Sequence, residues 1–507
     1  MSKSTVLGAL LLCVLSASGF AQSNATLGGS IGDESGALIP GVTVTATNTQ
    51  TGVVTTVLSN ETGTYQFPNL QSGTYKVSAE LAGFRTQSYS DVALGIAQQV
   101  RLNFKLDVGT VSQQVDVSVS ADTLLATSSS SVGAVLAENT VRDLPLPSRN
   151  VLDLVGTAAG VQGDNFAGHR INEVETLRDG INVSDGRYDL GVFSQTYVSP
   201  DLVQEIRIVV SAADPEAGKA GGVQLSTRSG TNTPTGSLFW TNHNTALDSN
   251  SWSNNRTGVQ TNYLNRNQFG GRLGGPIKKN KAFFFFLYEG QRDITRAVVT
   301  TPVLTGPARA GIFRYFPGVV NGNVISTVVA GANPQAPVVD ALGNPVKPAA
   351  ATGDLMALSL YGRDPLRPSI DPTGRIPLTL TNSPLPNFFE TGDGLNTAGY
   401  RFVRHTRGVD GASGDGVDVE RNQVNLRIDY NFNASHKLFL TGTRERVPSD
   451  GNPPPFPDGK FRGITLRQPQ VYTGSFVSTI SPTILNEARF GYKRGKQLVE
   501  VPYTNPF

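Results

Sequence analysis

The clearest alternation of polar and apolar residues is the segment QVNLRIDY, Gln423 to Tyr430. Every second residue is apolar or aromatic, and the residues between them are polar or charged. Because successive side chains of a β-strand point to opposite faces, this pattern predicts a strand with one apolar and one polar face. Strand patterns also occur at residues 236–243, 267–277, 281–292, 436–446, 471–479 and 484–494.

One of these segments, KAFFFFLYEG (Lys281 to Gly290), contains four consecutive phenylalanines. A strand sends two of these rings to each face, so neither face can be open to water. A core strand of a soluble protein meets this condition, and so does a strand between lipid and packed protein. An aggregation-prone segment is another interpretation, but the position between a short turn and a long loop favours a strand.

The connections between the seven segments alternate in length. In chain order they are residues 244–266, 278–280, 293–422, 431–435, 447–470 and 480–483. Outer-membrane barrels have short periplasmic turns, long extracellular loops and tilted strands of about 9–11 residues. A soluble sandwich has no reason to keep all its long loops on one side. The pattern therefore favours a transmembrane β-barrel over a soluble β-protein.

A second group of strand patterns lies within residues 26–106. VTVTAT, Val42 to Thr47, alternates strictly, and Pro-Gly, Thr-Gly and Ser-Gly turn signals separate it from its neighbours. Similar alternation is found at Tyr65 and Phe67, at Tyr75, Val77 and Ala79, and at Leu102, Phe104 and Leu106. Short strands at regular spacing predict an Ig-like or transthyretin-like β-sandwich.

Between these regions, residues 134–232 show a mixed pattern that predicts a small α+β domain. Ser148 is a candidate N-cap for a helix that carries Leu152 and Leu154. Strand patterns follow at residues 201–211 and 221–232.

The connecting segment QQVDVSVS, Gln113 to Ser120, alternates beside Ser-rich sequence. Two interpretations stay open for it. It is either a linker strand or a strand that pairs with the edge of a partner's sheet.

The N-terminus has the pattern of a secretory signal peptide, with a short core helix as the alternative. Lys3 precedes an apolar stretch, and a small-x-small site predicts cleavage between Ala21 and Gln22. Cys13 is the single cysteine and lies in this stretch, so we expect the mature protein to have no thiol.

Composition and motifs argue against several function classes. The formal net charge of the 507 residues is +2, so there is no strong attraction to nucleic acid. The segment GGPIKKNK lacks the G-K-[ST] of a phosphate-binding loop. Acidic runs such as Gly414 to Glu420 are read as solvated loop charges. We therefore expect no enzyme, no metal and no cofactor.

The segments GSIGDESGALIPGVTVTATN and NETGTYQFPNLQSGTYKVSAELAGF resemble the carboxypeptidase regulatory-like domain, also called the carbohydrate-binding-like fold. The resemblance is to this accessory module and not to the enzyme, because carboxypeptidase chemistry needs zinc held by His and Glu. The four histidines are scattered at His169, His243, His405 and His436.

Four later segments resemble Oar-like (OmpA-related) TonB-dependent receptors of the outer membrane. They are DLPLPSRN, LRDGIN, TRSGTN followed by GSLFW, and the most specific, RNQFGGRLGGPIKKNKAFFFFLYEGQR. The chain departs from the family pattern at Pro147 and Ser148, where Asn and Gly are usual, and at Arg178 and Arg228. The resemblance implies a plug inside a barrel of roughly 22 strands, which force from the inner-membrane TonB complex opens.

The expected fold is mainly β: a sandwich, an α+β plug, and the first strands of an incomplete transmembrane barrel. The expected divisions are a signal peptide (1–21), the sandwich (26–107), a linker (108–133), the plug (134–232) and the barrel (235–507). Seven strands cannot close a barrel around a plug, since even an 8-stranded barrel is filled by its own side chains. We therefore expect the chain to be a fragment of a longer receptor.

The same resemblance suggests site residues and partners. The TonB-box candidate in the linker is Val115, Asp116, Val117, Ser118 and Val119. The plug candidates, by analogy alone, are Arg170, Arg178 and Asp179. The expected partners are the TonB complex, outer-membrane lipid of a Gram-negative bacterium, and an extracellular ligand.

The expected function is import or export of a large substrate, carbohydrate or peptide. The alternative is an adhesive or structural surface protein whose sandwich binds carbohydrate or protein. Uptake by intact cells separates the two, because adhesion needs no TonB.

Overall fold

The structure is a computed structural model. It describes residues 24–96, 98–109, 114–118, 132–146, 148–163, 165–185, 190–211, 219–257, 259–324, 335–360, 384–405, 420–450, 464–481 and 484–500. The predicted signal peptide, with Ala21 and Gln22, lies outside the described residues, as does Val119. The described part is mainly β, which confirms the predicted fold class.

The first part is a two-sheet sandwich. Its strands are β1 (Ala25–Asp33), β2 (Thr43–Asn48), β3 (Val54–Leu58), β4 (Thr64–Leu70), β5 (Gly73–Glu80), β6 (Thr86–Leu94), β7 (Gln99–Arg101), β8 (Phe104–Leu106) and β9 (Gln114–Ser118). One sheet has the order β3-β2-β5-β6-β9, and in the other β1 pairs with β4, β7 and β8.

The apolar residues of the alternating segments form the core of this sandwich. Val44 and Phe67 are fully buried, as the period of two predicts. The rings of Tyr65 and Phe67 meet edge to face with centroids 6.0 Å apart. The buried Tyr65 hydroxyl donates a hydrogen bond to the Leu102 main-chain oxygen over 2.6 Å, so the polar end of this ring is satisfied.

The second part, here called the central domain, is built on a five-stranded sheet of order β10-β17-β18-β13-β14. Its strands are β10 (Val132–Ala137), β11 (Val161–Gln162), β12 (Asn165–Phe166), β13 (Val174–Arg178), β14 (Ile181–Asn182), β15 (Ser184–Asp185), β16 (Leu190–Ser194), β17 (Val203–Ser211) and β18 (Gly221–Thr227). Its helices are α1 (Glu138–Asp143) and two 3₁₀ turns, Val151–Thr157 and Ile171–Glu173.

The prediction that Ser148 caps the helix was wrong. The helix is a 3₁₀ helix, and its cap is Asn150, whose side chain accepts a hydrogen bond from the N–H of Leu152. The Ser148 hydroxyl instead accepts a hydrogen bond from the N–H of Asn150 over 3.0 Å, which fixes the approach to the helix. Leu152 and Leu154 are buried, so the prediction of the apolar face was sound.

The third part contains the long strands, here called the barrel sheet, and a folded loop. Its elements are β19 (Thr235–Asn244), α2 (Trp252–Thr257), β20 (Tyr263–Lys278), β21 (Ala282–Leu304), α3 (Gly306–Arg309), β22 (Ile312–Tyr315), β23 (Val320–Gly322), β24 (Gln335–Pro337), β25 (Met356–Ser359), β26 (Thr397–His405), β27 (Glu420–Asn431), β28 (His436–Asp450), β29 (Ile464–Ser481) and β30 (Ile484–Glu500). A 3₁₀ turn, Thr245–Leu247, follows β19. No helix within the described ranges is long and apolar enough to cross a membrane.

The barrel sheet is antiparallel and has the order β19-β20-β21-β27-β28-β29-β30. All seven predicted strands are present, and the sheet is open, since no pairing between β19 and β30 occurs among the described residues. An eighth strand, β26, was not predicted. It pairs with residues 296–304 of β21, beyond residues 282–292 that pair with β27. Its partner is the extension of β21, which the sequence pattern did not reveal.

The four-phenylalanine run divides its rings between the two faces of β21. Phe283 and Phe285 are buried against protein, whereas Phe286 is 39% exposed on the opposite face. In β27, Val424, Leu426 and Ile428 are exposed, and the polar residues between them are buried. The apolar outer face and the packed inner face are both as predicted.

The long connection between β21 and β27 contains a small folded unit. Strand β22 pairs with β25, and β23 pairs with β24. Its core is formed by Phe316, Val338, Val339 and Leu395. This unit lies on the long-loop side of the sheet.

Candidate functional site

The inner face of the barrel sheet packs against the central domain. Part of this interface is apolar: Phe285 and Leu287 of β21 belong to the same buried cluster as Ile206 and Val223 of the central sheet. The rest is polar and charged, and it forms two clusters.

The first, here called the Arg427 cluster, consists of Asp179, Thr227, Ser229, Arg427 and Asp429. The Arg427 guanidinium donates to the main-chain oxygen of Thr227 over 2.8 Å and to both carboxylate oxygens of Asp429 over 2.8 and 2.9 Å. Its Nη1 also lies 3.5 Å from Asp179 Oδ1. The Ser229 hydroxyl donates to Asp429 over 2.7 Å. A buried cation of the barrel sheet is thus neutralised by one carboxylate from each side of the interface.

Local sequence explains how Asp179 reaches this cluster. Asp179 and Gly180 connect β13 to β14 and have φ angles of +52° and +79°. Two such residues in a row define the type I′ turn of a tight hairpin, for which Asp-Gly is a preferred sequence. The Asp179 carboxylate accepts hydrogen bonds from the Thr227 N–H (2.9 Å) and hydroxyl (2.6 Å), so it is fixed before it meets Arg427.

The second, here called the Arg421 cluster, consists of Ser148, Tyr197, Gln268, Glu289 and Arg421. Arg421 Nη2 lies 2.8 Å from Glu289 Oε1, and the two side chains are 1% and 0% exposed. The Arg421 guanidinium also stacks 3.3 Å from the centroid of the Tyr197 ring. Gln268 donates to the Ser148 main-chain oxygen and to the Tyr197 hydroxyl, each over 3.0 Å.

The main chain at Tyr197 is held by two further barrel residues. Its N–H donates to Glu445 Oε2 over 2.9 Å, and its carbonyl accepts from Gln423 Nε2 over 2.8 Å. Gln423 and Glu445 are joined to each other by a 2.9 Å hydrogen bond. Side chains from β27 and β28 therefore bind this segment as a neighbouring strand would.

The structure places two of the three plug candidates at this interface. Arg178 is buried and donates to the Thr196 hydroxyl over 3.3 Å, and Asp179 belongs to the Arg427 cluster. Arg170 is exposed, and its N–H bonds to Glu173 within the central domain. Sequence reasoning did not select Arg421, although charged residues at inward positions of predicted strands were a usable signal.

The TonB-box candidate has a definite place in the described structure. Strand β9 pairs in parallel with β6 and forms one edge of the larger sandwich sheet. Residues Val115, Asp116, Val117 and Ser118 pair with Gln87, Ser88, Tyr89 and Ser90. The segment is therefore a strand of the sandwich, and its other edge faces away from β6.

The sequence profile of the outer membrane beta barrel domain family matches residues 226–506. The chain belongs to this family. It is an outer-membrane protein, and the exposed apolar face of the barrel sheet is the lipid face. The carboxypeptidase regulatory-like domain profile matches residues 26–107, which agrees with the resemblance seen in the sequence.

The chain is similar to the TonB-dependent transporter Oar of Myxococcus xanthus, with 27% identity over 284 residues. The match covers 52% of this chain and 26% of the relative, so the chain spans about a quarter of that protein's length. This similarity confirms the resemblance to Oar-like receptors.

The chain also matches two solved receptors at low identity. A variant of the ferric enterobactin receptor PfeA of Pseudomonas aeruginosa matches with 13% identity and a TM-score of 0.35, over 72% of this chain and 40% of that one. The siderophore receptor PirA of Acinetobacter baumannii matches with 11% identity and a TM-score of 0.32, over 74% and 46%. At these scores neither match supports an argument about function.

Proposed function

We propose that this protein is a TonB-dependent transporter of the outer membrane, with the central domain as its plug. The observation that carries the proposal is the polar interface between the central domain and the inner face of the barrel sheet. The similarity to the transporter Oar supports it and favours transport over catalysis.

The chemistry of this interface suits a plug that moves. Arg421, Gln423, Asn425, Arg427 and Asp429 alternate along the inner face of β27. When such an interface opens, water replaces the lost hydrogen-bond and ion-pair partners. The free energy cost is far lower than that of exposing an apolar core to water. The polar inner face of the barrel sheet can be hydrated when the central domain moves away, and the inside of a water-filled barrel is polar for the same reason.

We further propose that β9 is the site at which TonB acts. An edge strand offers unpaired main-chain groups to a strand of a partner. β9 is also the last strand of the sandwich before the central domain in the chain, so force on it reaches both. Its pairing with β6 extends over five residues, which limits the bonds to be broken.

Photo-cross-linking in the native host tests this assignment. A photoreactive phenylalanine analogue at Val117 should capture TonB, detected by antibody. The matched control is the same analogue at Thr56 on β3, the opposite edge of the same sheet. TonB captured equally from both edges, or from neither, would contradict the assignment of β9.

Opening of the plug is tested by labelling a buried inner-wall residue. Asn425 is 2% exposed, so Asn425→Cys should react with a membrane-impermeant maleimide only in energised cells that contain TonB. The control, Leu342→Cys, is on an exposed loop and should react in all cells. Labelling of Asn425→Cys at the same rate without TonB would argue against energy-coupled opening.

The substrate that we propose is a large carbohydrate or peptide bound on the long-loop side. Phe313 and Tyr315 of the loop unit stack with centroids 6.0 Å apart, and Phe313 is partly exposed. Stacked rings of this kind suit the flat apolar faces of sugars or peptide side chains. The alternative, an adhesin that binds through its sandwich, has less support because the sandwich contacts the short-turn side of the barrel sheet.

A further inference from the structure

One asparagine, Asn232, provides several of the contacts that dock the sandwich onto the short-turn end of the barrel sheet. The N–H of Asn232 donates to the Gln50 main-chain oxygen over 3.0 Å, and its side-chain amide donates to the Thr51 oxygen over 2.5 Å. The same side chain accepts from the Asn280 N–H over 2.8 Å. Asn232 thus joins the β2–β3 turn of the sandwich to the turn between β20 and β21.

The fit at this contact is close, and a larger side chain at residue 52 requires the neighbouring asparagine side chains to shift. Gly52 has a φ of +65°, and a Cβ atom there would lie 2.4 Å from Asn280 Oδ1 and 2.7 Å from Asn232 Nδ2. Glycine both adopts this conformation without strain and leaves room for the two asparagines. The sandwich therefore touches the barrel turn through a surface shaped for it.

Two more contacts hold the sandwich in place. The loop at Ile96 covers Glu205 of the central domain, and the Ile96 N–H donates to Glu205 Oε1 over 2.9 Å. On the barrel side, Lys437 Nζ donates to the Thr55 hydroxyl over 3.4 Å. The docked sandwich thus spans the central domain and two strand ends of the barrel sheet.

A cavity of about 460 Å³ lies where the three parts meet. Asn48 and Gln71 line it from the sandwich, Arg228 from the central domain, and Arg272 and Arg427 from the barrel sheet. Pockets of about 300–1,000 Å³ hold drug-sized molecules. The sandwich forms part of the wall of this cavity, so a larger molecule enters it only if the sandwich moves.

We propose that the sandwich is a gate at the periplasmic mouth of the barrel and must separate from Asn232 and Asn280 before a large substrate passes. This gate rests on the proposed transport function. Because β9 is both the edge strand of the sandwich and the start of the link to the central domain, one pull on β9 acts on the gate and the plug together.

Disulfide trapping in the full-length protein, in its own outer membrane, tests the gate. Gly52→Cys with Asn280→Cys suits this test because a Cβ at residue 52 lies 3.3 Å from Asn280 Cγ, near the place of a cysteine sulfur. The chain's single cysteine, Cys13, is in the predicted signal peptide. The control pair is Thr45→Cys with Thr56→Cys, neighbours across β2 and β3.

The 52–280 disulfide should form readily in cells without TonB or without an energised inner membrane. Its yield should fall several-fold in energised cells with TonB, while the 45–56 yield stays constant. Equal 52–280 yields in both conditions would overturn the gate, and so would negligible yields in both.

If the first variant does not fold, a second variant leaves Gly52 and Asn280, which both have positive φ angles, unchanged. Thr55→Cys carrying an amine-reactive arm should link to the native Lys437 with the same dependence on TonB. The TonB cross-link at Val117, measured in the same cells, separates the two proposals. If TonB is captured but the sandwich stays docked, the gate fails and the coupling stands; if TonB is not captured, the proposed function itself fails.

Discussion

Arg427 of the barrel sheet donates a hydrogen bond to the main-chain oxygen of Thr227 in the central domain, over 2.8 Å. The two residues are far apart in the chain and belong to different parts of the fold. The carboxylates of Asp179 and Asp429 form ion pairs with the same guanidinium. Together these interactions hold the central domain against the barrel sheet.

Replacing Arg427 with methionine should weaken this attachment strongly. Removing one partner of a buried ion pair costs about 3–5 kcal/mol, because the remaining carboxylates lose their counter-charge. Release of the central domain in urea can be followed by the protease sensitivity of residues 132–227. The urea concentration at which half of the domain is released should fall. Arg444→Met, at an exposed position of β28, is the control and should change little. Equal midpoints for the two variants would show that the cluster does not hold the domain.

The phenylalanine run offers a matched pair of positions. Phe285→Ala should cost about 3–5 kcal/mol, because it leaves a cavity in the core shared with the central domain. Phe286→Ala should cost less, since lipid fills the space that the lost ring leaves. Phe286→Arg, in contrast, should cost up to about 2–4 kcal/mol because it places a charge on the lipid face.

Refolding of these three variants into phospholipid vesicles, with unfolding followed in urea, measures the difference. A larger loss for Phe286→Ala than for Phe285→Ala would mean that the two faces of β21 have been assigned the wrong way round.

Docking of the sandwich should weaken as the pH rises. Burial raises the pKa of Glu205 from 4.5 to about 7, against the lowering effects of the Ile96 N–H and Arg207. The docked state therefore binds the proton more tightly than the undocked state. This contribution to docking is complete below the ordinary pKa and is lost as the pH rises through 7.

Spin labels on Thr56→Cys and Ala434→Cys would report docking as a distance distribution. The short-distance population should be larger at acid than at alkaline pH. Glu205→Gln should remove this dependence, because its amide does not titrate. A pH dependence that survives in Glu205→Gln would assign the effect to another group.

The stability of the loop unit should depend on the Asp393 carboxylate. Burial works to raise the pKa of this carboxyl, but hydrogen bonds from Thr397, Asn396 and Asn321 outweigh it and hold the pKa below its usual range. Asp393→Ala should destabilise the unit by about 1.5–3 kcal/mol, the usual worth of hydrogen bonds to a charged group. The contribution is present at neutral pH and is lost as the pH falls through the folded-state pKa.

Protease added to intact cells should cut this loop faster in Asp393→Ala than in the native protein. Asp354→Ala is the control, because Asp354 is largely exposed and its ion-pair partner, Lys347, is a surface lysine. If both variants are cut at the native rate, Asp393 does not stabilise the loop unit.

Local pattern was sufficient to predict much of this fold. The alternation in QVNLRIDY divided the side chains of β27 correctly into two opposite faces, because the side-chain period of a strand is fixed by its backbone. Phe285 and Phe286 were assigned to opposite faces for the same reason. The segment LRDGIN was recognised only through its resemblance to a family motif, and the structure shows that its Asp179-Gly180 pair forms a turn with two positive φ angles.

Contacts between distant parts of the chain were beyond such reasoning. Strand β26 was missed because its partner is the far half of β21, and no short pattern records that pairing. Ser148 was predicted as the cap, whereas Asn150 takes that place; both residue types are good caps, and only the local path of the chain decides between them. Arg170 and Arg178 looked equivalent in sequence, but only Arg178 is buried.

The sequence by itself determined the two faces of the strands, the alternation of long and short connections and the class of protein, because side-chain periodicity, strand spacing and short motifs can be read along the chain without knowing how it packs. Only the tertiary structure decided that Arg427 meets Asp179, that β9 completes the sandwich, and that Asn232 joins the sandwich to a barrel turn. Those contacts depend on how three separately folded parts pack together, and the free energy of that packing is not encoded in any one segment.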